Sequence, residues 1–190
     1  MADRRVLQEL HGENEDIVCN YVFECTSELA KRGQNFTLVY EEFIDYKMRS
    51  DVTDELPAPS EDDQKDHECV NDLFGKDKPN APHSSLSEEH SAAQIELSIY
   101  HLHTFDGSRP FHKWQVNKQW LNVCNKFVIY SFFEYLGAYY FYVLDLVEEK
   151  GTEEEPDGGH EALCDPDLVQ QWIDDARAFK EVEQSIQSTS

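Results

Sequence analysis

Side chains able to do chemistry are few in this chain and widely scattered. His101, His103 and Asp106 lie close together and are the group that could be gathered as metal ligands. If that segment is helical, residues at i and i+2 do not share a face, and both histidines read as surface groups rather than ligands. The carboxylate runs Glu61-Asp62-Asp63 and Glu153-Glu154-Glu155 sit in loop-like stretches. Acid–base work by a carboxyl needs burial or a shaped pocket to move its pKa, and a solvated run supplies neither. Glu134 stands alone in an aromatic stretch, where it could pair with a basic residue, cap a helix end or face outward. No glycine-rich phosphate loop, GxSxG elbow, HExxH pair or EF-hand loop occurs. These residues point to a protein that is not an enzyme and carries no metal or cofactor.

The elements that position these residues belong to a chain of 190 residues, the size of one ordinary domain with a core of its own. A formal net charge of -23 opposes binding to nucleic-acid backbones or anionic membranes by bulk electrostatics. A partner should be neutral or basic where it touches. The acidic excess coexists with 39% hydrophobic and 12% aromatic residues, so the two must be segregated along the chain. "MADRRVLQEL" lacks the apolar core of a signal peptide, which predicts a cytoplasmic protein. Five scattered cysteines with no CxxC pair fit reduced thiols, and the glycosylation sequon Asn35-Phe36-Thr37 then reads as coincidence.

Ile17, Val18, Tyr21, Val22 and Cys25 recur at helical spacing, followed by Leu29 and a stop at Arg32-Gly33, which predicts an amphipathic helix. "FTLVYEEFIDYKM" would serve a second short helix or a less regular continuation. Residues 50–85, rich in acids and proline, read as a mobile acidic loop, with an apolar island from Cys69 to Gly75. Helical patterning resumes from Leu86 to Phe105, with Ser85 or Ser87 as the cap. Turn residues Asp106 to Pro110 end it, and a further helix is expected from Phe111. Asp165 or Asp167 can cap a last helix carrying Leu168, Val169, Trp172, Ile173, Ala176 and Phe179, with a polar tail at 183–190.

"FVIYSFFEYLGAYYFYVLDLV", Phe127 to Val147, is the one long apolar run. Its length would just span a bilayer, but Glu134 at its middle would cost roughly 2.5–3.5 kcal/mol there. An apolar helix in a soluble protein is instead one wrapped by other helices. The expected fold is therefore all-α, a single-domain bundle over 1–190 around a central apolar helix, with Gly137 or Asn125 as the place where it bends or where two helices meet.

Three stretches, in order, resemble the Bcl (B-cell lymphoma) family of apoptosis regulators. "NKFVIYSFFEYLG", Asn125 to Gly137, is similar to the family's first homology region, N-W-G-R-I-V-A-F-F-E-F-G-G, at Asn125, Ile129, Phe132, Phe133, Glu134 and Gly137. "EDIVCNYVFECTSELAKRG" resembles the N-terminal region, and "WIDDARAF" the second. Lys126-Phe127-Val128 replaces the Trp-Gly-Arg of the pattern, the Gly-Gly-Trp of the second region and the third region's core are absent, and no membrane anchor follows Phe179. The resemblance implies a regulator of apoptosis, in the protective direction, that binds amphipathic death-motif helices of pro-apoptotic proteins and no nucleic acid. Its implied groove residues are Leu97, Leu102, Val116, Trp120, Asn125, Lys126, Val128, Phe132 and Gly137, and its implied site is the cytoplasm or the mitochondrial surface, with membrane association open. The alternative drawn from charge alone is an acidic decoy that imitates nucleic acid, or another inhibitor of protein interactions.

Overall fold

The apolar run is a β-hairpin in the computed structural model, which describes residues 3–11, 17–49, 74–80, 83–104, 112–116, 119–123, 126–148 and 158–188. Its strands are β7 (Lys126–Tyr135) and β8 (Ala138–Glu148), antiparallel from Lys126↔Glu148 to Tyr135↔Ala138. Leu136 (φ 50) and Gly137 (φ 75) make the two-residue turn between them, and two positive φ values in a row are what a type I′ hairpin requires. Glycine takes that conformation freely, whereas Leu136 holds it at a cost of about 1 kcal/mol. Gly137 is thus the corner of a hairpin and not the bend of a helix.

Every residue of β7 from Phe127 to Phe133 is buried. A strand covered on both faces shows no alternation of polarity and reads in sequence as a continuous apolar run. The enrichment in Phe, Tyr, Val and Ile is the β-forming composition that separates such a strand from a buried helix.

The hairpin lies at the centre of a six-stranded sheet of order β1-β2-β8-β7-β4-β3, formed with β1 (Arg4–His11), β2 (Ile17–Cys25), β3 (Phe74–Pro79) and β4 (Ile99–Thr104). β2 runs parallel to β8, and the other pairs are antiparallel. β5 (His112–Val116) and β6 (Gln119–Val123) form a separate hairpin, with β6 beside β3 and β4. The helices are α1 (Ser27–Ala30), α2 (Gln34–Arg49), α3 (Glu88–Glu96) and α4 (Pro166–Ser188), with a 3-10 segment at Gly158–Cys164.

One sheet face carries Tyr21, Phe23, Leu102, Tyr130, Phe132, Phe141 and Val143 and is closed by Phe36, Tyr40 and Phe43 of α2. The other carries Ile99, Phe127, Ile129 and Leu144 and is closed by Val169, Trp172, Ile173 and Ala176 of α4, with Leu97 just after α3. Phe179 of α4 extends this second cover onto Val22, Phe133 and Tyr140.

The fold is mixed α and β, which corrects the all-α bundle and its central helix. Residues 17–25, expected as helix, are β2, whose Tyr21, Val22, Phe23 and Cys25 are all buried because both faces of that strand are covered as well. Leu86 to Phe105 splits into α3 and β4, and the helix expected from Phe111 is the β5–β6 hairpin. The remaining helices fall where capping and periodicity put them: α2 covers "FTLVYEEFIDYKM", Ser87 caps α3 by accepting from the His90 N–H, and α4 carries Leu168 to Phe179. Within 50–85, residues 74–79 form β3, and the mobility expected of residues 50–73, 81 and 82 lies outside the described residues. The tail from 183 continues as helix to Ser188. Among the described residues, no helix is long and apolar enough to cross a membrane.

Candidate functional site

β4 has the sequence Ile-Tyr-His-Leu-His-Thr, and the strand period of two puts His101 and His103 on the same side, facing Phe127. Their ring centroids are 5.4 Å apart in an edge-to-face arrangement, and only 5% and 1% of the two residues is exposed. Both were expected on a helix surface; a strand in place of a helix brings them together and buries them.

The ring of His101 is fixed from the end of β3. The Asn80 N–H donates to the Ile99 carbonyl at 2.9 Å, which continues the β3–β4 ladder by one residue and aims the side chain inward. Asn80 Nδ2 donates to Gln94 Oε1 of α3 at 2.9 Å, and Asn80 Oδ1 lies 2.9 Å from His101 Nδ1. With its amide nitrogen donating to Gln94, Asn80 presents Oδ1 to His101 Nδ1, an arrangement in which that ring nitrogen carries a proton. All three residues are buried, and in such surroundings a linked chain of hydrogen bonds holds geometry strongly. The turn from α3 into β4 is tied down by β7: Ser131 Oγ donates to the Leu97 carbonyl at 2.6 Å, and the Phe132 N–H to the carbonyl of Ser98 at 3.2 Å.

A second polar group lies on the opposite face. Lys47, on the last turn of α2, is 1% exposed; its Nζ donates to Tyr130 Oη at 2.7 Å and lies 4.4 Å from the centre of that ring. The rings of Phe43, Tyr46 and Phe141 surround the same ammonium at 5.4–5.9 Å. Aromatic faces stabilise a cation, by about 2 kcal/mol where water is excluded, and so offset part of the cost of burying this lysine. Tyr130 and Ile129 are successive residues of β7, so the lysine and the histidines are held on opposite faces of one strand pair and do not converge.

The nine residues expected to line one groove are distributed through the fold. Leu102, Val128 and Phe132 are buried against α2, and Leu97 is buried on the α4 side. Lys126 is half-buried at the start of β7, and Gly137 is in the hairpin turn. Val116 and Trp120 lie in β5 and β6, where the backbone alone is described, and Asn125 lies outside the described residues. Glu134 is exposed, paired across the hairpin with Tyr139. Asp106 and both carboxylate runs lie outside the described residues, and no group of three or more His, Cys, Asp or Glu among the described residues could hold a metal.

Reasoning from sequence missed Lys47, Asn80 and Gln94. Their own neighbourhoods carry no signal, but the spacing of His101 and His103 does: two histidines at i, i+2 share a face on a strand, and the alternation that marks the strand was there to be read.

A family model described as Toxin YafO, type II toxin-antitoxin system, matches residues 44–181, from the end of α2 through β8 to most of α4. No curated protein and no solved structure matches the chain.

Proposed function

We propose, from the premise that this chain belongs to the YafO toxin family of type II toxin-antitoxin systems, that it cuts messenger RNA on the ribosome and is restrained by a protein antitoxin. The observation that carries this reading is the family match over 44–181, which takes in the central hairpin, the histidine pair and Lys47 with the rings around it other than Phe43. Family membership overturns the apoptosis reading, with its death-motif helices from pro-apoptotic partners and its mitochondrial surface, and equally the nucleic-acid decoy. The expectation of a protein without enzyme activity gives way to a proposed ribonuclease, and a reaction on the ribosome places it in the cytoplasm.

The charge of -23 shapes how such an enzyme works. A free polyanion is repelled by the chain as a whole, so attack on naked RNA is disfavoured. Basic ribosomal proteins offer an acidic toxin a surface to dock on, and the messenger is then presented at close range. RNA carries its own nucleophile, the 2′-hydroxyl, so strand cleavage asks the protein for a base, an acid and a way to hold the phosphate. Histidine is the side chain whose ordinary pKa suits both proton transfers near neutrality, and His101 and His103 are the described pair of that chemistry. Their burial means that a direct role demands a movement of the elements that cover them.

The test is to incubate the full-length chain with one messenger, free and on ribosomes, and to map its cuts. Cuts confined to the ribosome-bound messenger are expected. Intact RNA in both arms overturns the reading. His101→Gln and His103→Gln separate two roles for the pair: lost cleavage at unchanged melting temperature marks chemistry, whereas cleavage that falls only with the folded fraction marks a structural role.

A further inference from the structure

β1 is an end strand of the sheet, and among the described residues nothing pairs with its outer edge. Its pairing with β2 runs from Arg4↔Glu24 to His11↔Ile17 without a register shift, and "RRVLQELH" contains no Pro, Gly or Lys. Proteins usually blunt such an edge with a bulge, a proline or a lysine, because an open row of N–H and C=O groups recruits another strand. Here the two arginines are already engaged. Arg4 binds Glu183 of α4 at 2.6 Å and Glu24 at 2.8 Å, and Arg5 binds Asp3 at 3.1 Å.

The side chains beside that edge are apolar and uncovered. Val6 and Leu10 of β1 are 63% and 52% exposed, and Val18, the partner of Leu10 on β2, is 55% exposed. On α4, Val182 and Ile186, on either side of Glu183 in sequence, are also exposed. Exposed apolar side chains next to an open strand edge mark a contact surface. The strand's other side carries Glu9 beside Leu7, which packs toward α2, with Arg5 on the same side 3.9 Å from the exposed Glu41 of α2.

On the reading that the chain is a toxin with an antitoxin, we infer that β1 is where the antitoxin docks. The docked segment is extended, adds to the sheet as a further strand, and carries apolar side chains on one face and Lys or Arg on the other. Charge selects this occupant over a second copy of the chain: two copies at -23 each repel, whereas a basic segment is attracted. β1 and the end of α4 lie outside the matched residues 44–181.

The probe is a capped peptide of alternating lysine and valine, one strand long, titrated against the full-length chain, with a glutamate–valine twin as control. Saturable binding is expected for the basic peptide, about tenfold or more weaker for the acidic twin, with amide hydrogen exchange slowed along β1 in the complex. Val6→Lys with Leu10→Lys should weaken binding about tenfold at unchanged melting temperature; Val18→Lys serves if the double variant does not fold. Absence of binding, protection confined to other elements, equal affinity in the variants, or a β1-dependent dimer of the chain alone each overturns the inference. Failure of the toxin reading shows elsewhere: a chain that binds the peptide at β1 yet cuts no ribosome-bound messenger keeps the docking edge and loses the enzyme.

Discussion

Tyr130 and Ile129 are adjacent on β7 and look into two different interiors. Tyr130 meets α2, where rings pack on one another: Phe23 stacked on Phe141 at 5.0 Å, Phe132 tilted against Phe141 at 4.9 Å, and Tyr130 edge-on to Phe43 at 5.1 Å. Ile129 meets α4 in a mainly aliphatic cluster that holds two rings, Phe127 and Trp172. The polar groups differ accordingly. The aromatic side takes in a charge, the ammonium of Lys47, because ring faces and one phenol oxygen receive it. The α4 side has rings too, and at its rim Lys180 Nζ lies 5.8 Å from the centre of Phe133, but its buried polarity includes an amide–imidazole chain from Gln94 through Asn80 to His101. Buried polarity in one sheet is therefore accommodated in two ways, by quadrupoles on one face and by mutual hydrogen bonds on the other.

The strongest way to break this contrast is at Phe141, which is fully buried and touches Phe23, Phe43, Phe132 and Tyr130. Phe141→Ala should cost about 3–5 kcal/mol in denaturant unfolding, since it removes a ring and leaves a cavity that stiff neighbours cannot refill. A loss below about 1 kcal/mol would mean that the rings do not act as one packed unit. The polar side is smaller in scale. Asn80→Ala keeps the backbone bond to Ile99 but takes away the donor to Gln94 and the acceptor for His101, and should cost about 1–3 kcal/mol. It should also release the tautomer of His101, read from its ring nitrogen shifts. An unchanged tautomer would show that Asn80 does not set it.

The same contrast explains what could be read in the sequence. α2, the Ser87 cap of α3 and α4 were legible because each shows one apolar stripe, a polar remainder or a capping residue, all properties of local sequence. β2 and β7 were not, because strands covered on both faces lose the period of two that distinguishes them from buried helix. At the candidate site, the histidines were visible as types and misplaced by the wrong period. Lys47 with Tyr130, 83 residues apart, and His101 with Asn80, 21 apart, are brought together by the order of strands in the sheet, which no local pattern encodes.

The smallest expected effect tests the rim of the aliphatic side, where α4 passes from core to solvent. Asp175 is partly buried there, and burial, with Asp174 beside it, raises its carboxyl pKa above the ordinary value. A raised native pKa means that the folded state holds the proton more tightly than the unfolded chain does. Stability from this group is then fully present below the unfolded pKa of about 3.9 and is lost as pH rises through the native value. At neutral pH the ionised carboxylate is a cost, which water at a half-exposed position limits to about 0.5 kcal/mol. Asp175→Asn should therefore be slightly more stable than the parent at pH 7, and the difference should close as the pH falls toward 3. Urea midpoints across that range decide it: a gap that stays constant with pH would assign the effect to packing of the amide, and a gap of opposite sign would show that the carboxylate is held by a favourable partner and that the rim tolerates charge as the aromatic side does.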